Sequence, residues 1–136
     1  MTRQHQILVV DDDPHLRKLL TLQLTQVGYR VLLASNGLEA IALIRSAPPD
    51  LVLVDMLMPY FSGLDVLNKL AETGQPIPTI LMSAADLPLT QQVVLMASPV
   101  NFIAKPFLIE TLLAQIDRLL NEAPGPETER PGLAKP

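Results

Sequence analysis

Five short apolar runs recur along the chain, and most are followed by a stretch whose apolar residues have helical spacing. The runs have the length of β-strands, and three consist almost wholly of Val, Ile, Leu or Met, which is typical of strands covered on both faces. They are Ile7–Val10, Arg30–Ala34, Leu51–Val54, Thr79–Met82 and Asn101–Ala104. Because helices are the usual crossovers between parallel strands, this alternation predicts an α/β fold with a doubly wound, five-stranded parallel sheet.

The intervening stretches carry signals for helix ends. Asp13 before Pro14 has the pattern of an N-cap followed by a first-turn proline, and Gly28 is placed to end that helix. Asn36 and Glu39 have the spacing of a capping box. We predict helices over Pro14–Val27, Gly37–Arg45, from the Ser62 cap to about Gly74, over Leu89–Ala97 and over about Leu108–Asn121.

Composition narrows the classes of function. A net charge of −4 without a Lys/Arg cluster argues against direct nucleic-acid binding. The chain has no Cys, which excludes disulfides, thiol catalysis and thiolate metal sites. The uncharged span Leu87–Ala104 is interrupted by Pro88 and Pro99, so we expect no membrane segment and, with no secretory signal, a cytoplasmic location.

The chain has the length of one domain. We expect residues 1–122 to form it. Residues 123–136 are rich in Pro and Gly and poor in bulky apolar groups, which predicts a disordered tail or a stub of linker.

Polar residues gather where the predicted strands end: Asp11, Asp12, Asp55, Ser83 and Lys105. The carboxyl ends of parallel strands lie at one edge of a sheet, and with the order 2-1-3-4-5 the three carboxylates would share a pocket. A hard divalent cation such as Mg²⁺ would relieve their repulsion. An ammonium and a hydroxyl beside that cation suit a phosphoryl group in transfer.

Four segments together carry a family resemblance: "ILVVDDDP", "PDLVLVDMLMP" followed by "SGLDVL", "PTILMSA" and "FIAKPF". They resemble the successive signatures of the receiver domain of two-component response regulators, over Gln6 to about Asn121. The resemblance implies a flavodoxin-like (βα)5 fold of order 2-1-3-4-5. It also implies a phosphorylation switch that takes its phosphoryl group from a sensor histidine kinase or phosphotransfer protein.

The resemblance further implies roles for the residues at the strand ends. Asp55 would accept the phosphoryl group, and Asp12, Asp55 and the Leu57 carbonyl would bind Mg²⁺, with Asp11 acting through water. The phosphoryl oxygens would be held by Ser83, Lys105 and the backbone of Ala84. Ser83 and Phe102 would shift on phosphorylation, and the Lys105–Pro106 peptide would be cis.

The chain also departs from the family pattern. Ser98 and Pro99 replace the common Gly-Ala, and Phe102 lacks the hydroxyl of the frequent Tyr. Leu57 and Ala85 stand where the family carries side chains that admit or orient the hydrolytic water. Neither can hydrogen-bond a water molecule, which predicts a phosphorylated form that hydrolyses slowly.

The predicted helix Leu89–Ala97 carries no charge. Val94 and Leu95 would point largely away from the core, with Gln91 between them, which favours a homodimer contact or a docked effector on this face. A mobile helix whose apolar groups fold back onto Pro88 and Pro99 is the alternative.

Two other functions compete with the switch. A phosphatase of the haloacid dehalogenase type also uses an Asp nucleophile and Mg²⁺, but it needs a second Asp where Leu57 stands. A phosphorylation-independent scaffold would use the fold for binding alone, and the acid pair with Asp55 and Lys105 weighs against it.

On the leading interpretation the chain is no metabolic enzyme and catalyses only its own phosphoryl transfer and slow autodephosphorylation.

Overall fold

Strands and helices alternate in the computed structural model, which describes residues 4–58, 61–74, 76–84 and 101–121. The elements are β1 (Gln6–Val10), α1 (Pro14–Gln26), β2 (Arg30–Ala34), α2 (Gly37–Ser46), β3 (Leu51–Asp55), α3 (Gly63–Thr73), β4 (Thr79–Ser83), β5 (Asn101–Ala104) and α4 (Ile109–Asn121). The predicted helix Leu89–Ala97, with Gln91, Val94 and Leu95, lies outside the described residues, as do Ala85 and the predicted tail 123–136.

All five strands form one parallel sheet of order β2-β1-β3-β4-β5, which confirms the predicted fold class. Val10 pairs with Ala34 on one side and Val54 on the other, and Asp55 pairs with Met82. This register brings the ends of β1, β3 and β4 to one edge. Asp55 and Ser83 are the last residues of their strands, one position further than predicted.

The core has two layers, one on each face of the sheet, because alternate strand residues point to opposite faces. The first layer joins Leu8, Val10, Val52 and Val54 to residues of α2 and α3. The second joins Ile7, Val9, Leu51 and Leu53 to residues of α1 and α4. The helices therefore cover both faces of the sheet, and no helix within the described ranges is long and apolar enough to cross a membrane.

Capping explains where the helices start. The Asp13 carboxylate accepts a hydrogen bond from the His15 amide at 2.9 Å, as predicted, and Asn36 accepts from the Glu39 amide at 2.8 Å. In a capping box the Glu39 carboxylate would accept a hydrogen bond from the Asn36 amide. It accepts from the amide of the preceding residue, Ser35, at 2.6 Å, so that part of the prediction is wrong by one position. A complete capping box begins α3, where Ser62 and Asp65 bond reciprocally.

Gly63, the first residue of α3, lies against the end of β3. A Cβ added there would lie 2.7 Å from the Asp55 carbonyl oxygen and 3.0 Å from Leu81 Cδ2. The Gly63 amide also donates to the Met56 carbonyl at 3.1 Å. The absence of a side chain thus lets α3 approach the strand that carries Asp55.

We expect Gly63→Ala to lower the free energy of unfolding by about 1–3 kcal/mol, because overpacking at this contact outweighs the better helix propensity of Ala. Urea denaturation would measure it. Asn68→Ala, at an exposed position of the same helix, is the control and should leave stability unchanged or raise it slightly. Equal stability of the two variants would contradict this account of the Gly63 contact.

Candidate functional site

The three consecutive aspartates after β1 have different environments. Asp11 is fully buried, and its Oδ1 accepts a hydrogen bond from the Asp13 amide at 2.9 Å. Asp12 is exposed. Asp13 uses its own carboxylate to cap α1. The run therefore supplies one buried and one exposed carboxylate at the sheet edge, and its third member belongs to the helix.

Asp55 ends the neighbouring strand β3 and is 7% exposed. Its Oδ1 accepts a long hydrogen bond of 3.4 Å from the Leu57 amide. One carboxylate oxygen from each of Asp11, Asp12 and Asp55 lies within 4.8 Å of the other two. The predicted convergence of these residues is thus present in the structure.

Lys105 brings a positive charge between the two buried carboxylates. It follows β5, and its amide donates to the Ser83 carbonyl at 2.7 Å. Its Nζ lies 3.0 Å from Asp11 Oδ2 and 3.4 Å from Asp55 Oδ1. The peptide bond that joins Lys105 to Pro106 is cis, as the resemblance implied.

The charges of this cluster shift two pKa values. Burial raises the pKa of Asp55, and the negative charge of Asp11 raises it further, while Lys105 opposes both effects. Burial alone would lower the pKa of Lys105, but its hydrogen bond to Asp11 and the charges of Asp11 and Asp55 leave that pKa above its ordinary value. The ammonium therefore stays charged at neutral pH.

A divalent cation fits this donor set. Three carboxylates face one ammonium, so with all four ionised the cluster carries excess negative charge. The donors are hard oxygens from two strand ends, and the exposed Asp12 leaves one side accessible to water. This combination suits Mg²⁺, which prefers oxygen ligands and retains bound water.

Four other predicted site residues lie within the described part of the chain. Ser83 is buried at the end of β4, and Ala84 follows it. Leu57 is 42% exposed, and its amide donates the long hydrogen bond to Asp55. Phe102 is also 42% exposed, and its carbonyl accepts from the Gln115 side chain at 3.2 Å.

Arg17 also contacts the site, although it was not among the residues predicted from the sequence. Its Nη1 donates a hydrogen bond to the Asp11 carbonyl at 2.7 Å. A usable signal was present, because Arg17 lies four residues after the Asp13 cap and so one turn into α1. A long side chain there can reach back to the end of β1.

An open cavity of about 480 Å³ adjoins the cluster. Its lining is mostly apolar, with Asp13 and Lys105 as its charged members. The full set is Asp13, Leu16, Leu19, Ala84, Lys105, Pro106 and Phe107. Leu19 is 50% exposed, so an apolar surface lies directly beside the charged site.

Residues 7–117 match the sequence profile of a family described as the response regulator receiver domain. Response regulator MprA of Mycobacterium sp. (strain KMS) is 38% identical over 128 residues, which are 93% of this chain and 56% of that protein. The Mycolicibacterium vanbaalenii protein of the same name is 41% identical over 114 residues, 84% of this chain and 49% of that one. The chain therefore spans about half the length of these relatives.

Solved structures agree with the family match. The receiver domain of Francisella response regulator 1452 superposes with a TM-score of 0.79 at 26% identity, covering 88% of this chain and 99% of that one. A receiver domain of a signal transduction histidine kinase from Syntrophus aciditrophicus gives 0.78 at 30% identity, covering 93% and 98%. Vibrio cholerae chemotaxis protein CheY4 gives 0.76 at 26% identity, covering 85% and 98%.

The raised pKa of Asp55 predicts a cost in stability. The folded chain holds the Asp55 proton to a higher pH than the unfolded chain does, so this group reduces stability as pH rises through the window between the two pKa values. We therefore expect Asp55→Asn to be more stable than the wild-type chain at neutral pH without divalent cations.

The difference in the free energy of unfolding between Asp55→Asn and the wild-type chain should shrink as the pH is lowered below the ordinary pKa of an aspartate. Urea denaturation at several pH values, in the presence of a chelator, measures it. Glu72→Gln is the control, since Glu72 is exposed and pairs with Lys69 on the surface, so its effect should stay within about 1 kcal/mol. A less stable Asp55→Asn at neutral pH would contradict the prediction.

Proposed function

The chain belongs to the family of response regulator receiver domains, and on that premise we propose that it is a phosphorylation-dependent switch with Asp55 as the acceptor. The phosphoryl group comes from phosphohistidine on a sensor histidine kinase or a phosphotransfer protein. The convergence of Asp11, Asp12 and Asp55 within 4.8 Å, with Lys105 between the buried pair, carries this proposal.

The transfer is an in-line displacement. A carboxylate oxygen of Asp55 forms a bond to phosphorus while the bond from phosphorus to the histidine nitrogen breaks, and the electron pair of that bond leaves with the imidazole. Asp55 Oδ1 already contacts the Leu57 amide and Lys105. These two contacts would hold the carboxylate in position for attack on phosphorus.

Asp12, Asp55 and the Leu57 carbonyl would hold Mg²⁺, with Asp11 acting through water. The ion supplies positive charge against the oxygens of the phosphoryl group. Lys105 adds its ammonium, and Ser83 and the Ala84 backbone add hydrogen bonds to the same oxygens. The bond between the Lys105 amide and the Ser83 carbonyl supports this assignment, since it ties the ammonium and the hydroxyl to adjacent strand ends.

Donor docking and output use different surfaces in this proposal. The cavity beside Lys105, with Leu16, Leu19 and Phe107 in its lining, suits an apolar face of the phosphodonor next to the acceptor. Output passes from Ser83 to Phe102 in β5, and the partial exposure of Phe102 is consistent with a residue that shifts on phosphorylation. The responding surface comprises β5, α4 and residues Gln91, Val94 and Leu95, and it binds an effector protein or a second copy of the chain.

Phosphorylation should depend on Asp55 and on Mg²⁺. We expect the wild-type chain to gain one phosphoryl group from acetyl phosphate or phosphoramidate with Mg²⁺, and Asp55→Asn to gain none, as measured by intact mass. Asp13→Asn is the matched control, because Asn also caps helices well and should leave labelling intact. Undiminished labelling of Asp55→Asn would refute the acceptor assignment.

The phosphorylated form should be long-lived because Leu57, whose amide bonds to the acceptor carboxylate, carries an apolar side chain that cannot orient a water molecule. Leu57→Asn supplies a group that orients water, so we expect it to hydrolyse faster, and Ala85→Glu should add to the effect. Loss of phosphate from the purified phosphoprotein measures the lifetime. Leu22→Asn, at an exposed site on α1, is the control; a lifetime of Leu57→Asn equal to that of this control would disprove the shielding role of Leu57.

A further inference from the structure

Both polar groups of the Asp11 backbone are fixed by other parts of the chain. Its amide donates to the Ala34 carbonyl at 3.2 Å, which continues the pairing of β1 with β2. Its carbonyl accepts from Arg17 Nη1 at 2.7 Å. That carbonyl belongs to the peptide unit joining Asp11 to Asp12, so Arg17 fixes the plane from which the Asp12 side chain projects.

Asp12 depends on this backbone for its orientation. Its side chain is exposed, and none of the described residues donates a hydrogen bond to its carboxylate. Asp11 differs, because its carboxylate is held by the Asp13 amide and by Lys105. The exposed carboxylate of the cluster is thus the one whose direction is set by the peptide plane.

Arg17 is itself held in place. Its amide donates to the Asp13 carbonyl in the first turn of α1, and its side chain is half-buried. The hydrogen bond from Nη1 to the Asp11 carbonyl then ties the far end of the side chain to the residue that follows β1. The side chain therefore reaches from the first turn of α1 back to the end of β1.

We propose that Arg17 is a positioning residue, which orients the Asp11–Asp12 peptide so that the Asp12 carboxylate faces the cation site. This inference rests on the proposed Mg²⁺ site and deepens it. A charged donor makes a stronger hydrogen bond than a neutral one, which suits a bond that must hold one peptide plane against the repulsion of adjacent carboxylates.

Removal of the Arg17 side chain would have two opposite effects on the affinity for Mg²⁺, one from its charge and one from its hydrogen bond. Loss of a positive charge near the carboxylates would by itself tighten the binding of Mg²⁺. Loss of the bond to the Asp11 carbonyl would weaken it, since groups that orient metal ligands typically contribute about tenfold or more to affinity. We expect geometry to dominate, with the dissociation constant for Mg²⁺ in Arg17→Gln raised about tenfold.

The experiment is a Mg²⁺ titration of the full chain, followed by amide NMR shifts, which needs no phosphorylation. Lys18→Gln is the matched control, because it removes the same charge from an exposed neighbour on α1 and should leave the dissociation constant unchanged. Arg17→Lys keeps the charge but has a shorter reach and no planar fork. It should also bind Mg²⁺ more weakly than the wild-type chain, and it decides the matter if Arg17→Gln does not fold.

Unchanged or tighter Mg²⁺ binding in folded Arg17→Gln, or wild-type affinity in Arg17→Lys, overturns the proposal. A purely structural role would lower stability in urea while leaving the dissociation constant at its wild-type value, and this outcome also counts against it. Failure of the proposed function looks different, because the wild-type chain would then bind Mg²⁺ without being phosphorylated on Asp55. A wild-type chain with no saturable response to Mg²⁺ would overturn both.

Discussion

The ammonium of Lys105 between Asp11 and Asp55 is the interaction on which the site depends. Two buried carboxylates on neighbouring strands repel each other, and in a poorly hydrated environment that repulsion opposes folding. The Lys105 ammonium, 3.0 Å from Asp11 and 3.4 Å from Asp55, offsets part of this cost within the chain itself. The cluster of three carboxylates and one ammonium keeps an excess of negative charge when all four groups are ionised, which is the basis of the proposed Mg²⁺ site.

The sheet topology makes this cluster possible. Asp11, Asp55 and Lys105 are far apart in sequence, yet β1, β3 and β5 run in the same direction and end at one edge. The central strands are fully buried, which fixes their register, because a shift by one residue would turn every apolar side chain to the opposite face. Each functional side chain is thus held by the packing of the strand that precedes it.

Much of this arrangement could be predicted from the sequence. The strands were visible as uninterrupted apolar runs, and the polar residue after each run marked the common edge, so the acid cluster and Lys105 followed from topology. Arg17 and Gly63 were not found, because their importance lies in contacts with Asp11 and Asp55 that no local pattern encodes. The bond of Glu39 to Ser35 was likewise missed, since capping-box spacing alone does not decide which amide the carboxylate meets.

The central strands of the sheet are buried and the outer strands are partly exposed, so side-chain substitutions differ in their effect on packing between the two. β3 and β4 are closed to solvent along their whole length, whereas the outer strands β2 and β5 present Leu33 and Phe102 to it. A substitution at Leu33 or Phe102 changes the surface of the domain and leaves the buried packing of β3 and β4 in place. The exposed positions of the outer strands can therefore vary at little cost in packing, whereas a change of side-chain volume in β3 or β4 would disturb the strand that carries Asp55 or Ser83.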